Sequence, residues 1–211
     1  GYTVFGTRRN SSSINDWRLK ALGVFKQINF VEFDFLSLKK IMRTIEKIEP
    51  EMIFNLAAQS SVSTSFEKPI ITSEINGLGA LKILEAVKVI NKRIKLYQAS
   101  SSEMFGKAVS KLQDEKTPFY PKSPYGVSKL FAHWANINYR ETYQMFVCSG
   151  ILFNHESPLR GNEYITKKIV SGLTKIKFDK QKVLKIGNIE TKRDWGYAED
   201  YVDGIFKIIS A

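Results

Sequence analysis

Segments with strand character alternate with segments of helical spacing along the first 154 residues. The predicted strands cover residues 2–7, 28–35, 51–58, 94–100 and 145–153. The predicted helices cover residues 38–50, 73–90 and 123–143, the last with Ser123 at its cap and Pro124 in its first turn. Strands that alternate with helices favour a parallel sheet covered on both faces. The sequence therefore predicts an α/β fold with a doubly wound, Rossmann-like parallel sheet.

Small or polar residues lie at or next to the carboxyl ends of four predicted strands. These residues are Asp34, Ala57, Ser100 and Asn154. In doubly wound sheets, ligands bind beyond the carboxyl ends of the strands. We therefore expect the functional site along this edge of the sheet.

The pattern changes after residue 154. A helix is predicted over 162–176, a short strand over KVLKIGN (182–188) and a final helix over 199–210. We expect residues 1–154 to form a dinucleotide-binding domain. Residues 155–211 would then be part of a smaller substrate-binding region, from which the final helix can return to the first domain.

The composition restricts the classes of partner. The chain has 32 Lys and Arg residues against 21 Asp and Glu residues, a formal net charge of +11. No basic run carries interleaved aromatic residues, and no zinc-finger or RNA-recognition motif occurs, so an anionic small substrate is favoured over nucleic acid. No segment approaches the roughly 18 consecutive apolar residues of a membrane helix, so no membrane contact is predicted.

Cys148 is the single cysteine. A single cysteine excludes an internal disulfide and a CxxC metal or redox pair. The simplest setting is therefore the reducing cytoplasm, and no metal site is predicted.

Tyr125 and Lys129 stand four residues apart in SPYGVSK (123–129). On a helix this spacing puts both side chains on one face. A tyrosine with a pKa of about 10 is a poor base at neutral pH, but a neighbouring ammonium stabilises the phenolate. The pair is thus suited to taking a proton from a sugar hydroxyl, although the spacing alone also occurs in ordinary amphipathic helices.

Ser101 follows the predicted strand 94–100 and is expected to lie near Tyr125, where the ends of neighbouring strands converge. With Ser101, Tyr125 and Lys129, the chain resembles the short-chain dehydrogenase/reductase superfamily. SPYGVSK and NLAAQSSVSTSFEKP (55–69) are similar to its extended, nucleotide-sugar branch. The resemblance implies catalytic roles for all three residues.

Glu103 separates the dehydratases of this branch from its epimerases, which usually lack a glutamate there. Elimination of water across C5 and C6 needs a base for the C5 proton and an acid for the C6 hydroxyl, and one carboxyl group can serve as both. Ser102, directly before Glu103, matches the residue at this position in the GDP-mannose 4,6-dehydratases. The thymidine-linked glucose dehydratases resemble the site but carry aspartate at this position. TPFYPKSPYGVSKL (117–130), GILFNHESPLRG (150–161) and GNIETKRDWGYAEDYV (187–202) resemble the same family.

The resemblance implies NADP as the cofactor. Arg8 and Arg9 follow the first predicted strand, where two guanidinium groups suit a 2′-phosphate. The resemblance places Asp34 and Phe35 by the adenine. The other cofactor-binding positions of the family match Leu56, Ala57, Ala58, Gln59, Ser60, Lys129, His155 and Arg160.

The substrate implied is GDP-mannose, converted to GDP-4-keto-6-deoxymannose for GDP-deoxysugars such as GDP-fucose. Asn154, Lys168 and Arg193 match the family positions that face it. The alternatives are another nucleotide-sugar dehydratase or an epimerase, and, in a different class, a non-catalytic dinucleotide-binding regulator. The resemblance also implies a homodimer or homotetramer.

The glycine-rich phosphate loop of a dinucleotide fold, G-x-G-x-x-G, does not occur in this sequence. On the resemblance, we expect about 25–30 further residues, with the first strand and that loop, before Gly1. We also expect the 211 residues alone to be inactive.

Overall fold

The computed structural model describes residues 1–8 and 16–211. The chain divides into two compact units, one of residues 1–152 with 208–211 and one of residues 153–207. The assignment of two such regions to cofactor and to substrate stays a prediction.

In the described part of the first unit, five strands form two parallel sheets. One sheet pairs β1 (Val4–Arg8) with β2 (Ile28–Glu32). The other has the order β3-β4-β5, with β3 at Met52–Asn55, β4 at Lys95–Ala99 and β5 at Val147–Gly150. Every pairing is parallel, so the predicted parallel α/β architecture is confirmed.

Helices connect these strands, as parallel pairing requires. Their bounds are Trp17–Ala21 (α1), Leu38–Ile48 (α2), Val62–Glu67 (α3), Pro69–Ser73 (α4), Gly79–Ile90 (α5) and Pro124–Tyr143 (α6). Short 3-10 helices cover Phe25–Gln27 and Ser102–Met104. Among the described residues, no helix is long and apolar enough to span a bilayer.

The main core lies on one face of the β3-β4-β5 sheet. Ile53, Leu96 and Val147 are neighbours in register across the three strands, and all three pack in this core. The helices contribute fully buried residues such as Ile41 of α2 and Leu84 of α5. Burying one such aliphatic side chain stabilises a fold by about 1.5–3 kcal/mol.

The helix predicted at 73–90 is interrupted near its start. Residues Glu74–Leu78 form one π-helical turn between α4 and α5. The prediction missed α3 and α4, because Ser and Thr dominate the segment before Pro69 and read as a loop. Ser61 instead caps α3 by accepting a hydrogen bond from Thr64 N, and Pro69 occupies the first turn of α4.

The second unit contains a parallel pair of short strands, β6 (Asn154–Glu156) with β7 (Trp195–Tyr197), and helix α7 (Ile165–Lys177). Helix α8 (Ala198–Ser210) begins in this unit, and residues 208–210 at its end belong to the first unit. Both helices occur close to their predicted places.

Two strand predictions were wrong. Strand β5 ends at Gly150, not at 153, and Asn154 begins β6 instead of ending the preceding strand. Segment 182–188 is not a strand. Its alternating apolar residues include Leu184, which packs against Gly172 of α7 instead of joining a ladder.

Candidate active site

The end of β4 leads directly into a tight turn that carries Ser101 and Glu103. Ser101 is 8% exposed, and its hydroxyl oxygen accepts a hydrogen bond from Glu103 N at 3.2 Å. Ser102 N donates to Leu152 O at 2.9 Å, and Met104 N donates to Ser101 O at 3.1 Å. The Ser101 side chain therefore caps the 3-10 turn, and the backbone hydrogen bonds of Ser102 and Met104 hold the backbone on either side of Glu103.

Helix α6 presents Tyr125 and Lys129 from its first two turns. Ser123 caps the helix by accepting a hydrogen bond from Gly126 N at 3.0 Å, as predicted. Lys129 Nζ lies 5.9 Å from the centre of the Tyr125 ring. The two side chains thus share one face of the helix, and both are buried, with Lys129 only 3% exposed.

Burial changes the acidity of Lys129. Its ammonium donates to Ala99 O at 2.8 Å, at the end of β4. Desolvation lowers the pKa of Lys129 to about 8. The group is therefore still mostly cationic at pH 7, and its charge acts on Tyr125 in surroundings with little water to screen it.

Two glycines allow the Glu103 turn to lie close to its neighbours. A Cβ at Gly126 would be 2.7 Å from Glu103 O, so the carbonyl of Glu103 lies against the first turn of α6. Gly106 has a φ of +51°, and a Cβ there would be 2.0 Å from Tyr120 O. The glycines after Tyr125 and after Glu103 are thus required by close backbone approach.

Asn76 links the site to the segment after β3, and the sequence analysis missed it. Its side chain accepts from Gln59 N at 2.8 Å and donates to Gln59 O at 3.1 Å and to Ser128 Oγ at 3.2 Å. Ser128 Oγ donates to Tyr125 O. Asn76 is 2% exposed and lies in the π-helical turn, a feature common at functional sites. An asparagine followed by two glycines, Gly77 and Gly79, near a helix start was the available signal.

The segment predicted to follow the cofactor, residues 56–60, comes directly after β3. Leu56 is 60% exposed, Ala57 and Ala58 are half-buried, and Ser60 is exposed. Asn76 holds the backbone of Gln59 from both sides. Among the described residues, nothing hydrogen-bonds the buried Gln59 Oε1.

Asp34 and Phe35 follow β2. Asp34 accepts a hydrogen bond from Leu36 N at 2.9 Å and pairs with Lys40 Nζ at 3.3 Å, and these contacts lower the pKa of its carboxyl group. Phe35 packs edge-on against Phe33 at 4.9 Å between ring centres. Their roles beside an adenine stay predictions.

Arg8 ends β1, and its guanidinium group lies 4.5 Å from the centre of the Phe30 ring. Its Nη1 is 3.7 Å from Asp16 Oδ2. This long pair is partly exposed and contributes little stability. Arg9 lies outside the described residues. The role predicted for Arg8 and Arg9 at a 2′-phosphate stays a prediction.

The second unit carries the other predicted residues. Asn154 and His155 lie on β6, where His155 Nδ1 is 3.0 Å from Phe153 O. Arg160 Nε pairs with Glu156 at 3.2 Å, and its guanidinium group stacks on Tyr164 at 3.6 Å. Arg160 is thus already held within its own unit.

Lys168 and Arg193 provide positive charge in the second unit. Lys168 lines an open cavity of about 540 Å³, together with Lys175 and Lys185. Arg193 lies just before β7, exposed, and donates to Lys192 O at 2.8 Å. Their contact with a sugar nucleotide stays a prediction.

A parallel α/β fold with a buried Tyr125–Lys129 pair at the start of a helix defines a Rossmann-like protein of the short-chain dehydrogenase/reductase type. Solved structures share this fold. A dTDP-glucose 4,6-dehydratase from Bacillus anthracis, in complex with NAD, is 25% identical with a TM-score of 0.81, over 99% of this chain and 63% of that one. RMD from Pseudomonas aeruginosa, complexed with NADPH, is 23% identical with a TM-score of 0.79, over 99% of this chain and 72% of that one.

Sequence comparison narrows the class. The sequence model of the family described as GDP-mannose 4,6 dehydratase matches residues 1–211. GDP-mannose 4,6-dehydratase from Sinorhizobium fredii is 43% identical, over 98% of this chain and 61% of that protein. GDP-mannose 4,6 dehydratase 1 from Arabidopsis thaliana is 45% identical, over 99% of this chain and 60% of that protein. The chain belongs to the GDP-mannose 4,6-dehydratase family, and it spans about 60% of the length of these relatives.

Proposed function

We propose that this protein acts as an NADP-dependent GDP-mannose 4,6-dehydratase that forms GDP-4-keto-6-deoxymannose. The observation that carries the proposal is the buried Lys129 beside Tyr125, with the Glu103 turn packed against the same helix. The names of the relatives support the substrate.

A nicotinamide dinucleotide fits the residues present. Gln59 Oε1 is buried, and no group among the described residues donates to it, so it is suited to accept a hydrogen bond from a ribose hydroxyl. The ammonium of Lys129 has three donor hydrogens, and Ala99 O accepts from it. When bound, the cofactor supplies the redox chemistry, taking hydride from C4 of the hexose and returning it to C6.

The side chains of the chain handle the protons. The Tyr125 oxygen, as phenolate, takes the proton of the C4 hydroxyl, and Lys129 stabilises that phenolate. Ser101 holds the C4 oxygen by a hydrogen bond. The 4-keto group makes the C5 proton acidic. Glu103 takes that proton and protonates the C6 hydroxyl, which leaves as water. When C6 then receives hydride, a proton returns to C5, which gives the 4-keto-6-deoxy sugar.

Preference for NADP over NAD rests on Arg8 and Arg9. A 2′-phosphate beside Arg8 would compete with Asp16 for the guanidinium group, and the doubly charged phosphate is the stronger partner. Among the similar structures, RMD is complexed with NADPH and the Bacillus anthracis dehydratase with NAD. In the second unit, we propose that Asn154, Lys168 and Arg193 bind the sugar nucleotide and that His155 and Arg160 contact the cofactor.

The proposal includes self-association as a homodimer or homotetramer. Helix α6 supports it with an exposed apolar face, on which Val127, Phe131 and Trp134 are 53%, 47% and 56% exposed. These residues lie about one helical turn apart, so they form one continuous stripe.

One assay separates the proposed function from its rivals. The protein expressed from its full gene is purified and incubated with GDP-mannose and NADP⁺, and the sugar product is identified by NMR. A 4-keto-6-deoxy product supports the dehydratase. A C4-epimerised hexose would indicate an epimerase. Cofactor binding without any turnover of nucleotide sugars would indicate a non-catalytic regulator, and either result would overturn the proposal.

A further inference from the structure

The carbonyl oxygen of Ala99 accepts two side-chain hydrogen bonds. Lys129 Nζ donates to it at 2.8 Å, and Gln98 Nε2 donates to it at 3.2 Å. A carbonyl oxygen has two lone pairs, and these donors occupy both. The proposed reaction uses Lys129 and leaves Gln98 without a role.

Asn55 determines which way the Gln98 amide points. Asn55 and Gln98 are neighbours in register on β3 and β4, and Asn55 Nδ2 donates to Gln98 Oε1 at 2.7 Å. A flipped Gln98 amide would set two NH₂ groups against each other and its oxygen against Ala99 O. Both side chains are buried, at 5% and 2% exposure, so water does not compensate for such a flip.

The row of polar side chains formed by Asn55 and Gln98 continues across the sheet to β5. Ser149 lies beside Gln98 in register on β5, and Asn136 of α6 donates to Ser149 Oγ at 2.8 Å. A sheet face that is otherwise a hydrophobic core thus carries buried amides close to the end that bears Lys129. Buried polar groups cost stability unless they are satisfied, and their position beside the site points to a functional reason for them.

We propose that Gln98, oriented by Asn55, is a positioning residue that holds the carbonyl acceptor of Lys129 in place and thereby fixes the ammonium beside Tyr125. The inference rests on the proposed function, because it assigns Gln98 to the machinery of that site. Gln98 touches neither substrate nor cofactor in this scheme and acts only through Ala99 and Lys129.

The charge of Lys129 gives a direct readout. Gln98→Glu keeps the shape of the side chain and replaces the donor with a carboxylate oxygen. Gln98 Nε2 and Lys129 Nζ are at most about 6 Å apart, because both bond the same oxygen. A negative charge there stabilises the ammonium, so the titration midpoint of Lys129 is expected to rise from about 8 by one unit or more.

The experiment follows the ¹³Cε resonance of Lys129 with pH, in cofactor-free protein that is expressed from its full gene and labelled at lysine. Lys129→Met assigns the resonance by removing it. Gln27→Glu is the matched control, since it makes the same chemical change at an exposed residue and should leave the midpoint unchanged. A Gln98→Glu midpoint equal to that of wild type would overturn the proposal.

Gln98→Met covers the case in which the buried carboxylate prevents folding. This variant removes the donor and keeps the volume. We expect kcat for GDP-mannose to fall about tenfold or more, because a small displacement of a catalytic group is costly, with KM little changed. An unchanged kcat would overturn the inference. The titration needs neither substrate nor cofactor. A wild-type protein without dehydratase activity would therefore refute the proposed function, while the Lys129 titration would still test the contact between Gln98 and Lys129.

Discussion

The carbonyl oxygen of Glu103 lies against Gly126, at a place where any Cβ on residue 126 would approach it to 2.7 Å. This contact joins the turn after β4 to the first turn of α6. The carboxyl group of Glu103 and the phenol of Tyr125 therefore depend on the same backbone contact for their relative positions.

Gly126→Ala should lower dehydratase turnover while leaving the fold intact. The added methyl group pushes the Glu103 backbone away from α6, and a displacement of about 1 Å near the chemistry can cost about 100-fold in rate. Turnover of GDP-mannose and the unfolding midpoint would be measured. Gly204→Ala is the control, because a Cβ there meets nothing within 4 Å. Full activity in Gly126→Ala would show that the close contact does not position Glu103.

Glu103→Gln should block dehydration and spare cofactor binding. The amide keeps the shape of the side chain but neither takes the C5 proton nor protonates the C6 hydroxyl. Loss of general acid–base catalysis costs about 10²–10⁴ in rate. NADPH affinity and the rate of 4-keto sugar formation are the measurements, with the exposed Glu115→Gln in the following loop as control. Near-normal turnover would remove Glu103 from the mechanism.

Arg8→Ala with Arg9→Ala should weaken NADP binding far more than NAD binding. Hydrogen bonds to charged groups contribute about 1.5–3 kcal/mol each, and only NADP carries the 2′-phosphate that would receive them. Calorimetric titration of both cofactors tests this, with the exposed Arg43→Ala on α2 as control. An equal loss for the two cofactors would mean that the arginines do not recognise the phosphate.

Periodicity was sufficient to predict the parallel α/β fold and the Ser123 cap, because both are local patterns in the chain. Periodicity failed where packing between distant segments determines whether a segment joins a sheet. Segment 182–188 has the alternation of a strand, but Leu184 packs on Gly172, and β6 pairs with 195–197 instead.

The site residues likewise divide into those that local spacing predicts and those that depend on distant partners. Tyr125 and Lys129 are four residues apart, so their shared helix face was readable from the spacing. Asn76 and Gln98 were missed because their partners lie 52 and 43 residues away, at Ser128 and Asn55. A buried amide looks like any surface amide until the fold supplies such partners.

Residues 1–211 expressed alone should unfold at low temperature and aggregate. Among the described strands, β1 and β3 each have a partner on one side only. Phe5 on β1 and Phe54 on β3 are 42% and 40% exposed, and open strand edges with apolar side chains favour association between chains. Thermal unfolding with and without NADP, and a light-scattering record, are the measurements. A cooperative transition that NADP raises would contradict this prediction.

The pH dependence of stability should report the buried Lys129. Its pKa is lowered by desolvation from 10.5 to about 8 in the folded chain. Between these two values the unfolded chain binds a proton that the folded chain does not, so stability rises with pH across this window. Below it, the cost of burying the ammonium is fully present, on the order of 3 kcal/mol for a shift of this size.

Lys129→Met should remove that slope together with the activity. The free energy of unfolding of wild type should gain about 3 kcal/mol relative to the variant as the pH rises from 8 to 10.5. Urea unfolding at half-unit pH steps provides the measurement. Lys175→Met, an exposed lysine on α7, is the control and should follow wild type. Parallel curves for wild type and Lys129→Met would show that Lys129 is not a desolvated cation, and its electrostatic support for the Tyr125 phenolate would then lose its physical basis.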